Sequence, residues 1–234
     1  MRKNKVDIIT LGCSKNLVDS EQLMRQFKAN GYTVEHDPKK INGEIVVVNT
    51  CGFIGDAQEE SINMILQLAE AKKNGKIGKL IAMGCLTERY KDELLQTIPE
   101  VDGMYGLGEL TQLLQTLQVK KTKSSKRMIT TPSHYAYLKI AEGCNHKCSY
   151  CAIPLIRGPY ISRPAKDIIA EAKQLAQQGV KELILIAQDL TYYGKDLVGK
   201  RTLADLVTAL SNIKEIQWIR LQYAYPQAFP KDLI

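Results

Sequence analysis

In the first half of the chain, apolar positions fall in short continuous runs rather than strict alternation, and each run leads into a glycine-containing turn and then a helical period. Residues 6–11 form a β-rich run bounded by Gly12, followed by a helical pattern over 20–30 that Gly31 ends. Residues 45–48 repeat the theme, with a turn at 49–52 and a helix that Asp56 opens, Glu59 completes as a capping box and Gly75 closes. It recurs at 79–83, with Gly84-Cys85 as the turn and Thr87 as the cap of the next helix, and 110–117 reads as a short closing helix. Apolar runs this continuous predict parallel strands buried on both faces, so the first half is expected to be α/β, an open parallel sheet with flanking helices.

The second half carries the same alternation with longer spacers. Strands are predicted at 136–141, 182–187 and 216–221, with helices at 165–178 and 203–211; Pro164 stands at the start of the first helix and Gly179 past its end. This is the pattern of the first part of a (β/α) barrel. About two and a half such units cannot close a barrel and would leave a bare parallel edge, which predicts an N-terminal portion of a longer enzyme or strands supplied from elsewhere. The expected organisation is a domain over 1–118, a basic linker over 119–130 and a partial barrel over 131–234.

Charge sharpens the middle of this picture. Of the net +7, residues 1–118 carry 14 Lys and Arg against 16 Asp and Glu, residues 119–127 carry five bases and no acid, and residues 128–234 carry 13 against 9. The excess of positive charge lies in the linker and second half, where an acidic partner such as RNA or a ribosomal surface could approach; a solvated linker explains the same charge. No apolar run reaches about 20 residues, so no membrane span is expected. The basic start is followed by a run that Asp7 interrupts, without a small-residue cleavage site, and the chain reads as cytoplasmic.

Six cysteines are too few for a disulfide scaffold at this length, and in a reducing compartment they favour metal binding or catalysis. Three of them, Cys144, Cys148 and Cys151, share one loop at Cys-x-x-x-Cys-x-x-Cys spacing. Soft thiolates select zinc, copper(I) or iron-sulfur clusters. Three ligands without an obvious fourth fit a 4Fe-4S cluster with one iron left open. His146 could complete a zinc site, but it stands two residues from both Cys144 and Cys148, tighter than ordinary zinc spacings; a disulfide or unligated thiols are the other plain alternatives. Cys13, Cys51 and Cys85 each fall one to three residues past a predicted strand, at the edge where open α/β sheets bind ligands. Each alone reads as a buried core residue; three at equivalent positions suggest a second three-thiolate cluster. Gly12, Gly52 and Gly84 beside them read as tight turns that also admit backbone close to a cluster. Lys15, Asn16, Asp19, Ser20 and Glu21 read as a loop leading into a capped, acid-started helix, without a catalytic role.

The loop Glu142-Gly143-Cys144 through Cys151, with aromatic Tyr150 between its second and third cysteines, resembles the signature of radical S-adenosylmethionine enzymes. With both triads considered, the chain resembles the methylthiotransferases over its whole length. The motifs are Leu11-Gly12-Cys13-Ser14-Lys15-Asn16 with Val18-Asp19-Ser20-Glu21, Asn49-Thr50-Cys51-Gly52-Phe53-Ile54, Met83-Gly84-Cys85-Leu86, Ile153-Pro154, Ser162-Arg163-Pro164 and Trp218-Ile219-Arg220-Leu221. They look most like the branch that modifies an aspartate of a small-subunit ribosomal protein; Ser14 stands where that branch usually has proline.

The resemblance implies two 4Fe-4S clusters, one on Cys144, Cys148 and Cys151 and an auxiliary one on Cys13, Cys51 and Cys85. It implies S-adenosylmethionine as cofactor, used twice: once to methylate sulfur at the auxiliary cluster, once to yield the radical that abstracts hydrogen from the aspartate β-carbon. Tyr150 would pack near the adenine, and Gln188, just past a barrel strand, is a candidate cofactor contact. The implied partners are a small-subunit ribosomal protein or the ribosome, an electron donor and, through the basic linker, RNA, with no membrane. Two alternatives remain open at this point: the same chemistry on a transfer-RNA adenosine, and a non-catalytic iron-sulfur or zinc module.

Overall fold

The computed structural model describes residues 1–122, 127–197, 202–226 and 229–233. The chain divides into two compact units, Met1–Met128 and Ile129–Ile234.

The first unit is a five-stranded parallel sheet. Its elements run β1 (Arg2–Thr10), α1 (Ser14–Ala29), β2 (Thr33–His36), β3 (Gly43–Thr50), α2 (Gly55–Lys73), β4 (Lys79–Gly84), α3 (Cys85–Thr97), β5 (Gly103–Tyr105) and α4 (Leu110–Thr116). The strand order is β2-β1-β3-β4-β5, and every neighbouring pair is parallel. Alternate residues of the apolar runs serve opposite faces. Ile45 and Val47 join Leu23, Met24, Phe27 and Leu113 on one side, while Val46 and Val48 join Ile65, Leu68 and Leu86 on the other. That double burial is why these strands read as continuous rather than alternating.

Three expectations change here. The sheet has two strands more than the three apolar runs indicated, because β2 is exposed or half-buried throughout and β5 is only three residues long. Helix α1 begins at Ser14, with Cys13 at its N-cap and no side-chain cap, so Lys15, Asn16, Ser20 and Glu21 are buried helix residues rather than a loop. Neither the Asp56–Glu59 box nor a Thr87 cap forms: α2 and α3 lack side-chain caps, and the Thr87 hydroxyl donates to the carbonyls of Gly84 (3.0 Å) and Tyr105 (2.6 Å). Asp7, which interrupts the first apolar run, is fully buried with Lys5 at 2.8 Å and accepts the amides of Asn42 and Gly43. A buried charge held this way is satisfied rather than exposed.

The segment read as a linker is partly strapped to α1. Asn30 donates to the Lys120 carbonyl (2.8 Å) and accepts from its amide (3.1 Å). Gln26, one turn earlier, accepts from the Thr122 amide at 2.8 Å. Farther on, the Met128 amide donates to the Glu21 carbonyl at 3.2 Å, and buried Arg127 faces the Glu21 carboxylate at 3.6 Å. Two side-chain amides four residues apart on a helix thus stand in for a neighbouring strand. Residues 123–126 of the predicted linker lie outside the described residues.

The second unit contains β6 (Tyr135–Lys139), β7 (Ala141–Glu142), α5 (Ile153–Arg157), β8 (Ile161–Ser162), α6 (Ala165–Gln177), β9 (Glu182–Ile186), α7 (Leu203–Ser211) and β10 (Trp218–Gln222). A parallel sheet of order β10-β9-β6 packs on α6 and α7 through Leu138, Ile168, Leu175, Leu183, Leu185 and Leu206, and β7 pairs antiparallel with β8. Pro164 is the residue before α6, with extended ψ, rather than its first helical residue. β10 is an edge strand whose Trp218 is 70% exposed. Among the described residues, no helix is long and apolar enough to cross a membrane.

Candidate metal centres

Cys13, Cys51 and Cys85 leave the carboxyl ends of β1, β3 and β4, three adjacent strands. Cys13 is the N-cap of α1 and Cys85 the first residue of α3. The three exits are packed through their glycines. A Cβ on Gly12 would stand 2.8 Å from Cys51 Cβ and 3.0 Å from its Sγ; one on Gly52 would stand 2.7 Å from Leu86 Cα and 2.8 Å from the Cys85 carbonyl; one on Gly84 would meet Asn49 Oδ1 at 2.5 Å. Gly12 and Gly84 also have positive φ, +90° and +110°, which L side chains rarely adopt. Each glycine therefore seats a neighbouring strand's end against its own.

Polar side chains brace the Cys51 exit and, farther back, the strands themselves. Ser61 on α2 accepts from the Cys51 amide and donates to the Cys51 carbonyl, both at 3.0 Å. Asn49 donates to Ser20 Oγ (3.0 Å), and Ser20 accepts from Thr10 (2.8 Å). Ser20 and Asn49, both buried, stand in the motifs quoted above, but nothing in the local pattern signals the bond between them.

The second triad is local. The Cys144 amide donates to the Gly158 carbonyl and the Cys151 amide to the Cys148 carbonyl, each at 3.0 Å, while Asn145 Oδ1 accepts from the Tyr160 amide at 2.9 Å. Gly143 has φ +73°, and a Cβ there would collide with the Pro159 carbonyl. Below the loop, Glu142 receives Arg157 at 2.5 Å and Lys139 at 2.7 Å. Burial opposes its charge, but the two cations outweigh that and hold its carboxyl down to about 2.

His146 is held by the end of β9 through one ring nitrogen. Its Nε2 lies 2.8 Å from Asp189 Oδ2 and its ring 5.0 Å from that of Tyr225. Asp189 also accepts from the Thr191 amide (2.9 Å) and hydroxyl (2.7 Å), so it both caps the turn after β9 and anchors the cysteine loop. Burial works against its charge, yet the bonds from His146 and Thr191 hold its carboxyl below the usual range. Burial pushes the Cys144 thiol up, an effect that metal ligation reverses.

Of the predicted cofactor contacts, Gln188 is half-buried just past β9, with Nε2 buried and without a hydrogen-bond partner among the described residues. Leaving such a donor unmet costs about 1–3 kcal/mol. The Tyr160 hydroxyl is in the same condition, its phenol raised chiefly by burial and then by the Asp189 and Asp196 carboxylates. Tyr150 is 88% exposed. Cys148 is exposed and Cys144 and Cys151 half-buried. Among the described residues, no three His, Cys, Asp or Glu side chains form a ready-made metal cage. The donor chemistry nonetheless fits an iron-sulfur cluster, with three thiols per site.

Residues 5–106 match the model of a family described as uncharacterized protein family UPF0004, and residues 138–227 match that of the radical SAM superfamily. The chain is similar to solved structures of the radical S-adenosylmethionine methyltransferase TsrM from Kitasatospora setae. One has a TM-score of 0.60 at 13% identity and covers 99% of this chain and 58% of that one, a likeness of fold. Among curated proteins it is 62% identical over 236 residues to the ribosomal protein uS12 methylthiotransferase RimO of Parabacteroides distasonis. It is 59% identical to the RimO of Porphyromonas gingivalis and 53% to that of Cytophaga hutchinsonii. All of this chain is covered in each, against 54–55% of the relatives, so the chain spans about half the length of the curated proteins it matches. The class defined by sheet, loop and superfamily match is that of radical S-adenosylmethionine proteins. Within it, the chain matches over its whole length the N-terminal portion of methylthiotransferases of the RimO type.

Proposed function

We propose that this chain is the sulfur-donating and radical-generating part of an enzyme that methylthiolates the β-carbon of an aspartate in a small-subunit ribosomal protein, using S-adenosylmethionine. Cys144, Cys148 and Cys151 hold one 4Fe-4S cluster in this reading, and Cys13, Cys51 and Cys85 hold an auxiliary one. The observation that carries it is the pairing, in one chain, of a cysteine triad at the carboxyl ends of three parallel strands with a second triad in the loop after β7, together with relatives named as ribosomal protein uS12 methylthiotransferases.

Bound at these triads, the clusters and S-adenosylmethionine supply the radical and the sulfur. The protein's own work is positional. Glu142, clamped by Arg157 and Lys139, fixes where the loop leaves β7; the His146–Asp189 bond fixes it against the end of β9. The unmet donors of Gln188 and Tyr160 are suited to acceptor atoms of a bound cofactor. The three glycines let the auxiliary thiols approach without intervening side chains.

The test uses the full-length enzyme, reconstituted anaerobically and given a chemical reductant and S-adenosylmethionine. Small-subunit ribosomal protein and transfer RNA are offered in parallel, and both are weighed by mass spectrometry. A methylthio group gained on an aspartate of the ribosomal protein is expected. A gain on transfer RNA alone would transfer the assignment to the adenosine branch, and zinc without iron in the protein would refute the enzyme reading.

A further inference from the structure

Asn16 lies in the first turn of α1 and is fully buried, a costly place for a primary amide unless its hydrogen bonds are met. They are met by the cysteine-bearing exits themselves. Its Nδ2 donates to the Leu11 carbonyl at 2.9 Å, two residues before Cys13, and to the Thr50 carbonyl at 3.0 Å, one residue before Cys51. Its Oδ1 receives the Cys85 thiol, with Sγ at 3.7 Å. Its backbone carbonyl accepts from Asn49 at 2.8 Å, which pins the helix turn to β3. One side chain thus reaches the ends of β1 and β3 and the start of α3.

We infer that Asn16 is a positioning residue of the first triad: it sets the mutual placement of Cys13, Cys51 and Cys85, and so the affinity and electronic environment of whatever iron-sulfur group they hold. The inference rests on the proposed metal-holding role of that triad. Both protons of the amide are spent on carbonyls of separate strand exits, so its orientation is fixed from two sides and neither exit can shift without breaking a buried bond. A Cβ on Gly12 would stand 3.3 Å from Nδ2, so the cysteine turn closes directly over the amide. The Oδ1 contact belongs to the thiol form of Cys85; the bonds to Leu11 and Thr50 do not depend on that proton. Ser20, also fully buried, lies one hydrogen bond farther out, on Thr10 and Asn49, and touches no cysteine exit by its hydroxyl. It provides the comparison that separates positioning from general stability.

The experiment uses the chain with Cys144, Cys148 and Cys151 all replaced by alanine, so that bound iron reports the first triad alone. Asn16→Ala, Asn16→Asp and Ser20→Ala are made in that background, checked for folding by far-UV circular dichroism, reconstituted anaerobically with iron and sulfide, and examined by electron paramagnetic resonance after reduction. Both Asn16 variants are expected to weaken iron retention by about tenfold or more, the usual scale for groups that orient ligands, and to change the spectrum. Asn16→Asp preserves the shape and loses the donors, so it decides the matter if Asn16→Ala does not fold. Ser20→Ala is expected to lower the melting temperature with retention and spectrum unchanged. Folded Asn16 variants with parental retention and spectrum would overturn the inference, as would a Ser20→Ala spectrum altered as much as theirs. Failure of the parent with Asn16 intact to take up iron would instead refute the metal reading of the triad, and the inference with it.

Discussion

Cys144, Cys148 and Cys151 lie in one short loop, whereas Cys13, Cys51 and Cys85 reach one sheet edge from three separate strand exits. The first arrangement is a local turn problem: Gly143, Gly158 and Asn145 fold the loop, and Asp189 and Glu142 anchor it. The second exists only after the sheet has formed, because its cysteine-bearing exits are set side by side by strand register, by glycines that admit a neighbouring exit and by the buried amide of Asn16. A loop of the first kind can be adjusted without disturbing a core. One of the second kind ties site geometry to the stability of a whole unit.

The largest contrast should appear in catalysis by the full-length enzyme. Cys144→Ala is expected to abolish reductive cleavage of S-adenosylmethionine, while Cys13→Ala leaves cleavage largely intact and abolishes sulfur insertion. Product analysis for 5'-deoxyadenosine and for methylthiolated substrate reads the two separately. Equal loss of cleavage in both variants, with the fold intact, would break the division of labour.

A smaller contrast concerns the glycines. Gly52→Ala drives a methyl to 2.7–2.8 Å from the backbone of Leu86 and Cys85, in a region with no flexible side chain to yield. It is expected to cost about 1–3 kcal/mol in denaturant unfolding. Gly143→Ala meets the Pro159 carbonyl in a loop and at positive φ; its main effect should be faster thiol modification in the loop, with a global loss on the order of 1–2 kcal/mol. A Gly52→Ala protein as stable as the parent would show that the strand exits are not packed through that glycine.

Much of this was legible in the sequence. Continuous apolar runs reported the buried parallel strands, and Cys13, Cys51 and Cys85 do stand just past strand ends. β2 escaped because its side chains are at most half-buried, and β5 because three residues carry no period. The start of α1 escaped for another reason: Lys15, Asn16, Ser20 and Glu21 are polar and buried, and polarity along a chain reads as exposure until the partners are known. Asn16 and Asp189 act through residues distant in sequence, Cys85 and His146 among them, and no local pattern reports such pairing. The strap on α1 was hidden likewise, since Gln26 and Asn30 bind backbone and leave no mark on the composition of 119–122.

The central claim is that two triads of different construction each hold a cluster independently. Anaerobic iron and sulfide quantitation on the wild type and on the two triple Cys→Ala variants tests it most directly. About eight iron atoms per chain are expected in the wild type and about four in each variant. A variant lacking Cys13, Cys51 and Cys85 that keeps the wild-type iron content, or a wild type holding zinc in place of iron, would contradict it.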